Sequence, residues 1–123
     1  MNAMVAIPSV SPGGLKASVG DHYGNCDLYT LVRLENSLIT EVRVIPNSSL
    51  QQEGWDAPLR RLAENGVKVL ISGGIGMKPV NAFFRVGIDV YYGGGCRTVE
   101  EAVQALAEGS LSQLGVDMYK CVV

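Results

Sequence analysis

The chain has 123 residues, of which 47% are hydrophobic and 18% are charged, and its formal net charge at pH 7 is −2. This length is typical of one domain that buries a real core, and the composition excludes both a disordered chain and a broad nucleic-acid-binding surface. Because no signal-peptide pattern and no membrane-spanning run is present, we expect a single cytoplasmic domain over residues 1–123 with no nucleic-acid or membrane partner.

The first third of the chain predicts three strands. Met4–Pro8 is a short apolar run closed by proline, which indicates a buried strand that ends there. Asp27–Leu34 is rich in aromatic and β-branched residues, and Leu38–Ile45 alternates apolar with charged side chains, which is typical of a strand with one solvated face. The tight turn Glu35–Ser37 joins these two segments, so the second and third strands are predicted to form a hairpin.

A helix and a fourth strand are predicted next. The helix begins after Asp56, a plausible N-cap, and ends at Gly66. Its apolar stripe consists of Trp55, Leu59, Leu62 and Ala63. Val67–Ile71 is too short for a helix and too apolar for a half-exposed strand, which favours a central strand covered on both faces.

The rest of the chain continues this alternation. A second helix with an apolar stripe of Val80, Phe83 and Phe84 ends at Gly87, and Ile88–Tyr92 is the fifth strand. Thr98–Glu101 matches a capping box, so a third helix is predicted to begin there. The tail Gly109–Val123 has no assignment.

Glycine is concentrated at two corners, each of which follows a predicted buried strand. The first glycine corner is Gly73–Gly76, and the second is Gly93–Gly95, which leads into Cys96 and Arg97. The element order implies an α/β fold with a five-stranded mixed sheet, strand order 3-2-1-4-5, strand two antiparallel, and about three helices. In such a sheet the residues 22, 26, 73–78 and 93–97 gather at one rim, where open α/β sheets bind ligands.

These motifs, taken in order, resemble the dinitrogenase iron-molybdenum cofactor biosynthesis family, the NifX-like cluster carriers with a ribonuclease H-like fold. The resemblance covers about residues 4–115. It rests on Ala6–Pro8, Val19–Gly24, Gly73–Gly76, Gly87–Tyr91 and Thr98–Ala102. It implies a protein that is not an enzyme but binds, stores or transfers an iron-sulfur or iron-molybdenum cluster precursor between donor and acceptor proteins.

The rim carries residue types that suit such a cargo. Cluster iron prefers thiolate and accepts imidazole, so the candidate metal ligands are His22, Cys26 and Cys96. Backbone N–H groups at the glycine corners and two cations could hold the anionic remainder of a cluster. These candidate cofactor-binding residues are Gly73, Gly74, Gly76, Lys78, Gly94, Gly95 and Arg97. Fewer than four strong ligands suits a carrier that must release its cargo.

Other interpretations remain open. A lone cysteine is more often a small buried hydrophobe than a ligand, and the glycine corners could serve only to turn strand into helix. The alternative function is a metal-free regulatory or protein-interaction domain of the same fold, and a thiol enzyme using Cys96 and His22 is a third. A two-metal nuclease is excluded because neither Met4–Pro8 nor Val67–Ser72 holds an acidic residue. The identity of the cluster, the oligomeric state and the role of Cys121 stay undetermined.

Overall fold

A computed structural model describes residues 1–20, 23, 26–47 and 57–114. Within these residues the chain forms a mixed α/β fold. The elements in chain order are β1 (Ala3–Ser9), β2 (Leu28–Glu35), β3 (Leu38–Pro46), α1 (Ala57–Glu64), β4 (Val67–Ser72), α2 (Met77–Arg85), β5 (Asp89–Tyr92), α3 (Val99–Ala107) and β6 (Ser112–Leu114). The predicted positions of His22, Trp55, Asp56 and Cys121 lie outside the described residues.

The strands form one sheet in the order β3-β2-β1-β4-β5-β6. Strand β4 is parallel to β1 and to β5, whereas β2 is antiparallel to both β1 and β3. The predicted order 3-2-1-4-5 with an antiparallel second strand is therefore confirmed. The structure adds β6, which pairs antiparallel with β5 in the segment that the sequence left unassigned. Three residues are too few to show a period of two, so no pattern marked this strand.

The core has two layers, one on each face of the sheet. On one face, α1 and α2 contribute Leu62, Val80 and Phe83, which pack on Met4 and Ala6 of β1. On the other face, α3 packs against the alternate residues of β1. That second layer includes Val5, Ile7, Val69, Ile71, Val99, Ala102, Val103 and Leu106. Because successive side chains of a strand point to opposite faces, the central strands contribute to both layers and are apolar throughout, as predicted.

Chain reversals occur at the predicted glycines. Gly66 after α1 and Gly87 after α2 have φ of +77° and +83°, which side chains with a Cβ adopt at a cost. The hairpin between β2 and β3 turns at Asn36 and Ser37, which also have positive φ. The Asn36 N–H donates to the Asn2 side-chain oxygen at 2.6 Å, which ties this turn to the start of the chain.

Two predictions of burial were wrong. Strand β3 was expected to have one solvated face, yet almost all of its residues are exposed, because Val42 and Val44 lie outside both described core layers. Phe84 was placed in the apolar stripe of α2, yet it is exposed, and only Val80 and Phe83 of that stripe are buried. In the described part of the chain, no helix has the length and apolar character needed to cross a membrane.

Candidate functional site

The first glycine corner is held by hydrogen bonds to its carbonyl groups. The chain leaves the buried end of β4 at Ser72, whose hydroxyl donates to the Gly74 carbonyl at 3.0 Å. The same carbonyl accepts the Tyr23 N–H at 3.4 Å. The buried Tyr23 ring in turn meets the Phe83 ring edge-on, with centroids 5.6 Å apart. The corner is thus joined to the segment that precedes Cys26.

Helix α2 begins directly after this corner. Gly76 is its N-cap, with an extended backbone (φ −78°, ψ 165°) and no side-chain cap. A Cβ at Gly76 would meet nothing closer than the Pro79 ring at 3.7 Å, so the position has room for a side chain. The first turn contains Lys78 and no acidic residue. The positive end of the helix dipole and a lysine therefore lie at the rim.

The second glycine corner lies beside the first. The Gly93 N–H donates to the Ser72 carbonyl at 3.1 Å, which links the ends of β5 and β4. The predicted adjacency of the two corners is therefore confirmed. After Gly95 the chain turns back, and the Cys96 N–H donates to the Gly93 carbonyl at 3.0 Å.

The three glycines of the second corner have different surroundings. A Cβ on Gly93 would lie 2.5 Å from the Ile71 methyl group, and a Cβ on Gly94 would overlap the Tyr92 ring and hydroxyl. A Cβ on Gly95 would meet nothing within 4 Å. The room left at Gly93 and Gly94 is therefore filled by side chains of the protein itself, and only Gly95 faces open space.

A cleft of about 150 Å³ opens between the two corners. It is lined by Val19, Gly20, Gly73, Tyr92, Gly93, Gly94 and Cys96. Backbone atoms of glycines form much of its wall, and among its lining residues Cys96 carries the soft ligand atom. A larger cleft of about 560 Å³ lies at the opposite end of the sheet, around Asn2, Arg33 and Lys68, and its lining residues include no thiol.

The loop after β1 closes one side of this cleft. The Gly20 N–H donates to the Pro8 carbonyl at 2.7 Å, and the Val19 N–H donates to the Arg97 carbonyl at 3.0 Å. Arg97 therefore supports the cleft through its backbone. Its own N–H donates to the Glu101 carboxylate at 3.4 Å, while the Glu101 N–H donates to the Thr98 hydroxyl at 3.2 Å. The predicted capping box is present, with its carboxylate bonded one residue earlier than the usual Thr98 N–H.

Cys26 lies behind the wall of the cleft. A Cβ on Gly20, which lines the cleft, would be 3.1 Å from the Cys26 Cβ. The Cys26 thiol donates to the Tyr23 carbonyl at 3.5 Å, and the Asn47 amide donates to the sulfur at 3.7 Å. Burial raises the pKa of the Cys26 thiol, and hydrogen bonds that include those from Tyr29 and Asn47 offset only part of that rise. The thiol is therefore protonated at neutral pH.

The two described cysteines belong to different layers of the core. Cys26 packs against the layer that contains α1 and α2, whereas Cys96 packs against the layer that contains α3. Burial, followed by the negative charge of Glu101, raises the pKa of the Cys96 thiol. In the part of the chain that the structure describes, no cation is among the groups that shift the pKa of either thiol. Over residues 1–20, 23, 26–47 and 57–114, no three His, Cys, Asp or Glu side chains are close enough to hold a metal ion.

The structure therefore brings some of the predicted site residues together. Gly73, Gly94 and Cys96 line one cleft, with Gly95 next to them in the chain. Gly74, Gly76 and Lys78 belong to the first corner and the helix start, outside the lining of this cleft, and His22 is not described.

Four of the seven lining residues were not among the candidate site residues, namely Val19, Gly20, Tyr92 and Gly93, and of these only Gly93 was predicted to lie at the rim. Val19 and Gly20 are the first two residues of the Val19–Gly24 motif that carried the family resemblance, and Tyr92 is the aromatic residue that ends the fifth strand. An aromatic side chain at the carboxyl end of a parallel strand was the available signal, because side chains at that edge of the sheet border the ligand site.

Comparison with known proteins identifies the family. A model of the family described as dinitrogenase iron-molybdenum cofactor matches residues 1–109. In sequence, the chain is 30% identical over 94 residues to an uncharacterized protein of Methanocaldococcus jannaschii, with 75% of this chain and 79% of that protein covered.

Solved structures share the fold. The apo form of the orange protein from Desulfovibrio gigas superposes with a TM-score of 0.80 at 23% identity, over 94% of this chain and 95% of that one. The NMR structure of a proposed NifB protein from Thermotoga superposes with a TM-score of 0.75 at 28% identity, over 91% and 93% of the two chains. Together with the match over residues 1–109, these likenesses confirm the resemblance read from the motifs: the chain belongs to the dinitrogenase iron-molybdenum cofactor family.

Proposed function

We propose that this protein binds an iron-sulfur or iron-molybdenum cluster precursor and passes it from a donor to an acceptor protein in the cytoplasm, without turning over a substrate. The observation that carries the proposal is the cleft that Cys96 lines together with glycines of both corners. Membership of the dinitrogenase iron-molybdenum cofactor family supports this choice of cargo.

The chemistry of the cleft suits a cluster that is held loosely. A thiolate from Cys96 ligates iron, and backbone N–H groups of the corners donate to cluster sulfides. Cys26 lies behind the cleft wall, next to the lining residue Gly20, and His22 is the third candidate ligand. Lys78 and Arg97 supply counter-charge at the rim. Cys96 is the one cysteine among the lining residues, so iron positions that Cys26 and His22 do not reach are ligated by the cargo or by a partner, which favours transfer over permanent storage.

Anaerobic reconstitution with iron and sulfide tests this proposal. We expect the wild type to develop the charge-transfer absorption of thiolate-bound iron, and Cys96→Ser to lose most of it. Cys26→Ser should reduce loading less, because that thiol is behind the cleft wall. Cys121→Ser is the matched control and should load as the wild type does. A wild type that binds no cluster, or a Cys26→Ser/Cys96→Ser double variant that loads fully, would contradict the proposal.

Cluster loading should also depend on pH in a defined direction. Iron binds the thiolate, and burial raises the pKa of both described thiols, so each must release a proton on ligation. Below its pKa, each ligating thiol should make the apparent affinity rise about tenfold per pH unit. Loading measured from pH 6 to 9 should therefore increase, and Cys96→Ser should flatten the dependence.

One set of observations favours the metal-free alternative. Ile71 and Tyr92 fill the room that Gly93 and Gly94 leave, and both described thiols are protonated at neutral pH. A regulatory or protein-interaction domain needs neither an open cavity at these glycines nor an ionised thiol. Metal analysis of protein purified without oxygen separates the two functions, because an interaction domain should contain no iron or molybdenum beyond the level of the Cys96→Ser variant.

A further inference from the structure

Strand β3 presents a long outer edge to the surroundings of the protein. It is the last strand on one side of the sheet, and no other strand of the described chain pairs with its outer edge. Four of its apolar side chains are well exposed, namely Leu38 (68%), Ile39 (37%), Val42 (38%) and Val44 (42%). A strand edge of nine residues with unpaired backbone groups is a ready template for a further strand.

The side chains of β3 are divided between the two faces of the sheet. Val42 and Val44 lie opposite Val32 and Thr30 of β2, on the face that α3 covers. Glu41 and Arg43 lie on the other face, where the Glu41 carboxylate is 2.9 Å from the Arg43 guanidinium. The edge therefore carries a valine pair on one face and an acid and a base, two residues apart, on the other.

This pattern is self-complementary. A two-fold axis perpendicular to the sheet joins two copies of an edge strand antiparallel and leaves each face of the sheet continuous across the join. Residues that lie opposite each other are then either both odd-numbered or both even-numbered. With the axis at Val42, Glu41 of each copy is opposite Arg43 of the other. These residues lie in the regular part of β3, beyond the irregularity at Thr40 where its register with β2 shifts. Moving the axis to Arg43 or to Glu41 places two like charges directly opposite each other, which is unfavourable.

We propose that the occupant of this edge is a second copy of the same chain, paired antiparallel through β3 with the two-fold axis at Val42. Two Glu41–Arg43 pairs then flank the axis on one face of the sheet. On the other face, Val42 and Val44 of both copies form one apolar strip beside the α3 layer. Because the axis reverses strand direction, the two clefts of the dimer open toward opposite ends of the joined sheet. This inference is independent of the proposed cargo.

Sedimentation equilibrium provides the first test. The wild type should sediment at twice the monomer mass of 13.1 kDa. Glu41→Arg places arginine opposite arginine, and Arg43→Glu places glutamate opposite glutamate. Each substitution should therefore raise the dimer dissociation constant by roughly tenfold.

Mixing the two variants separates a broken interface from a broken fold. In a mixed pair, one chain carries arginine at positions 41 and 43, and the other carries glutamate at both. All opposed charges are then attractive, so an equimolar mixture should associate more strongly than either variant does alone. A wild type that stays monomeric at the highest attainable concentration, or a mixture no more associated than its components, would overturn the proposal.

A cross-link locates the axis. Val42→Cys places two thiols directly opposite each other, within the reach of a disulfide between paired strands. Mild oxidation should give a covalent dimer of this variant. Leu38→Cys is more exposed but lies far from its own copy in the proposed pairing, so it should cross-link no faster than the wild type. Equal cross-linking of the two variants would rule out this register.

Discussion

The two glycine corners lie side by side and join neighbouring parallel strands to the helices that follow, yet their glycines have different reasons to be there. The first corner is held by its carbonyls, since Gly74 accepts hydrogen bonds from Ser72 and Tyr23. The second corner also has hydrogen bonds at Gly93, and in addition it is closely packed, since Gly93 lies against Ile71 and Gly94 beneath Tyr92. At Gly93 and Gly94 the surrounding side chains therefore leave no room for a Cβ atom.

The helices that follow the two corners also differ in how their first turns are capped. Helix α3 starts with a side-chain cap, in which Thr98 accepts the Glu101 N–H. Helix α2 starts at Gly76 with none. A capped helix start satisfies its own backbone donors, whereas an uncapped start leaves them for water or a ligand. Helix α3 therefore satisfies its first backbone donors with a side chain of its own, whereas the start of α2 leaves them for other partners.

The largest effect expected from this comparison is at Gly93. Gly93→Ala places a methyl group 2.5 Å from a methyl of Ile71, a fully buried β-branched residue that cannot move aside. Overpacking of this kind costs about 2 kcal/mol of the free energy of unfolding. Urea denaturation of the variant and the wild type gives the difference.

Gly95→Ala is the matched control for Gly93→Ala. Its new methyl group would meet nothing within 4 Å, and Gly95 does not have the positive φ that excludes alanine. The free energy of unfolding should therefore stay within about 0.5 kcal/mol of the wild-type value. If the two substitutions cost the same, close packing is not what keeps glycine at position 93.

Gly94→Ala should have a smaller effect on stability and a visible effect on the cleft. Its methyl group would overlap the Tyr92 ring, but this side chain is half exposed and can swing outward. We therefore expect a loss below about 1 kcal/mol. Because Tyr92 and Cys96 line the same cleft, the alkylation rate of Cys96 by iodoacetamide should rise several-fold, roughly in line with improved access.

The sequence predicted the fold well because the relevant signals are local. Apolar runs, glycine stops and the Thr98 capping box each act over a few residues, and the α/β order then restricts the topology. Strand order and the adjacency of the corners followed from these signals. The exposure of β3 could not be predicted from these signals, because an alternating strand has the same sequence pattern whether or not another element covers its apolar face.

The candidate site was predictable only in outline. Glycine clustering indicated the region of the cleft, and Cys96 is among the residues that line it. The assignment of Cys26 and Cys96 to opposite layers of the core depends on long-range packing that no spacing encodes. Likewise, nothing in the run Tyr92–Gly94 indicated that the tyrosine ring would fold back over its own corner.

A third test changes the charge beside the second corner. Glu101 raises the pKa of the Cys96 thiol, although less than burial does. Glu101→Gln removes that negative charge, so the thiol should ionise at lower pH. Alkylation of Cys96 at pH 8 should become about twofold faster, the modest size that solvent screening allows for a partly exposed pair. The Cys26 rate is the internal control and should not change, since Glu101 is not among the groups that shift its pKa.

The smallest expected change in the free energy of unfolding comes from altering the caps of α2 and α3. Gly76→Ser supplies the side-chain cap that α2 lacks, at a position with extended backbone and room for a Cβ. It should raise the free energy of unfolding by a few tenths of a kcal/mol, roughly the advantage of serine over glycine at an N-cap. Thr98→Gly is the mirror control at α3 and should lose a similar amount. If glycine at position 76 keeps the helix start open for cargo, Gly76→Ser should also load less cluster, whereas Thr98→Gly should load as the wild type does. A stabilised Gly76→Ser variant with unchanged loading would mean that glycine at position 76 has no part in holding the cargo.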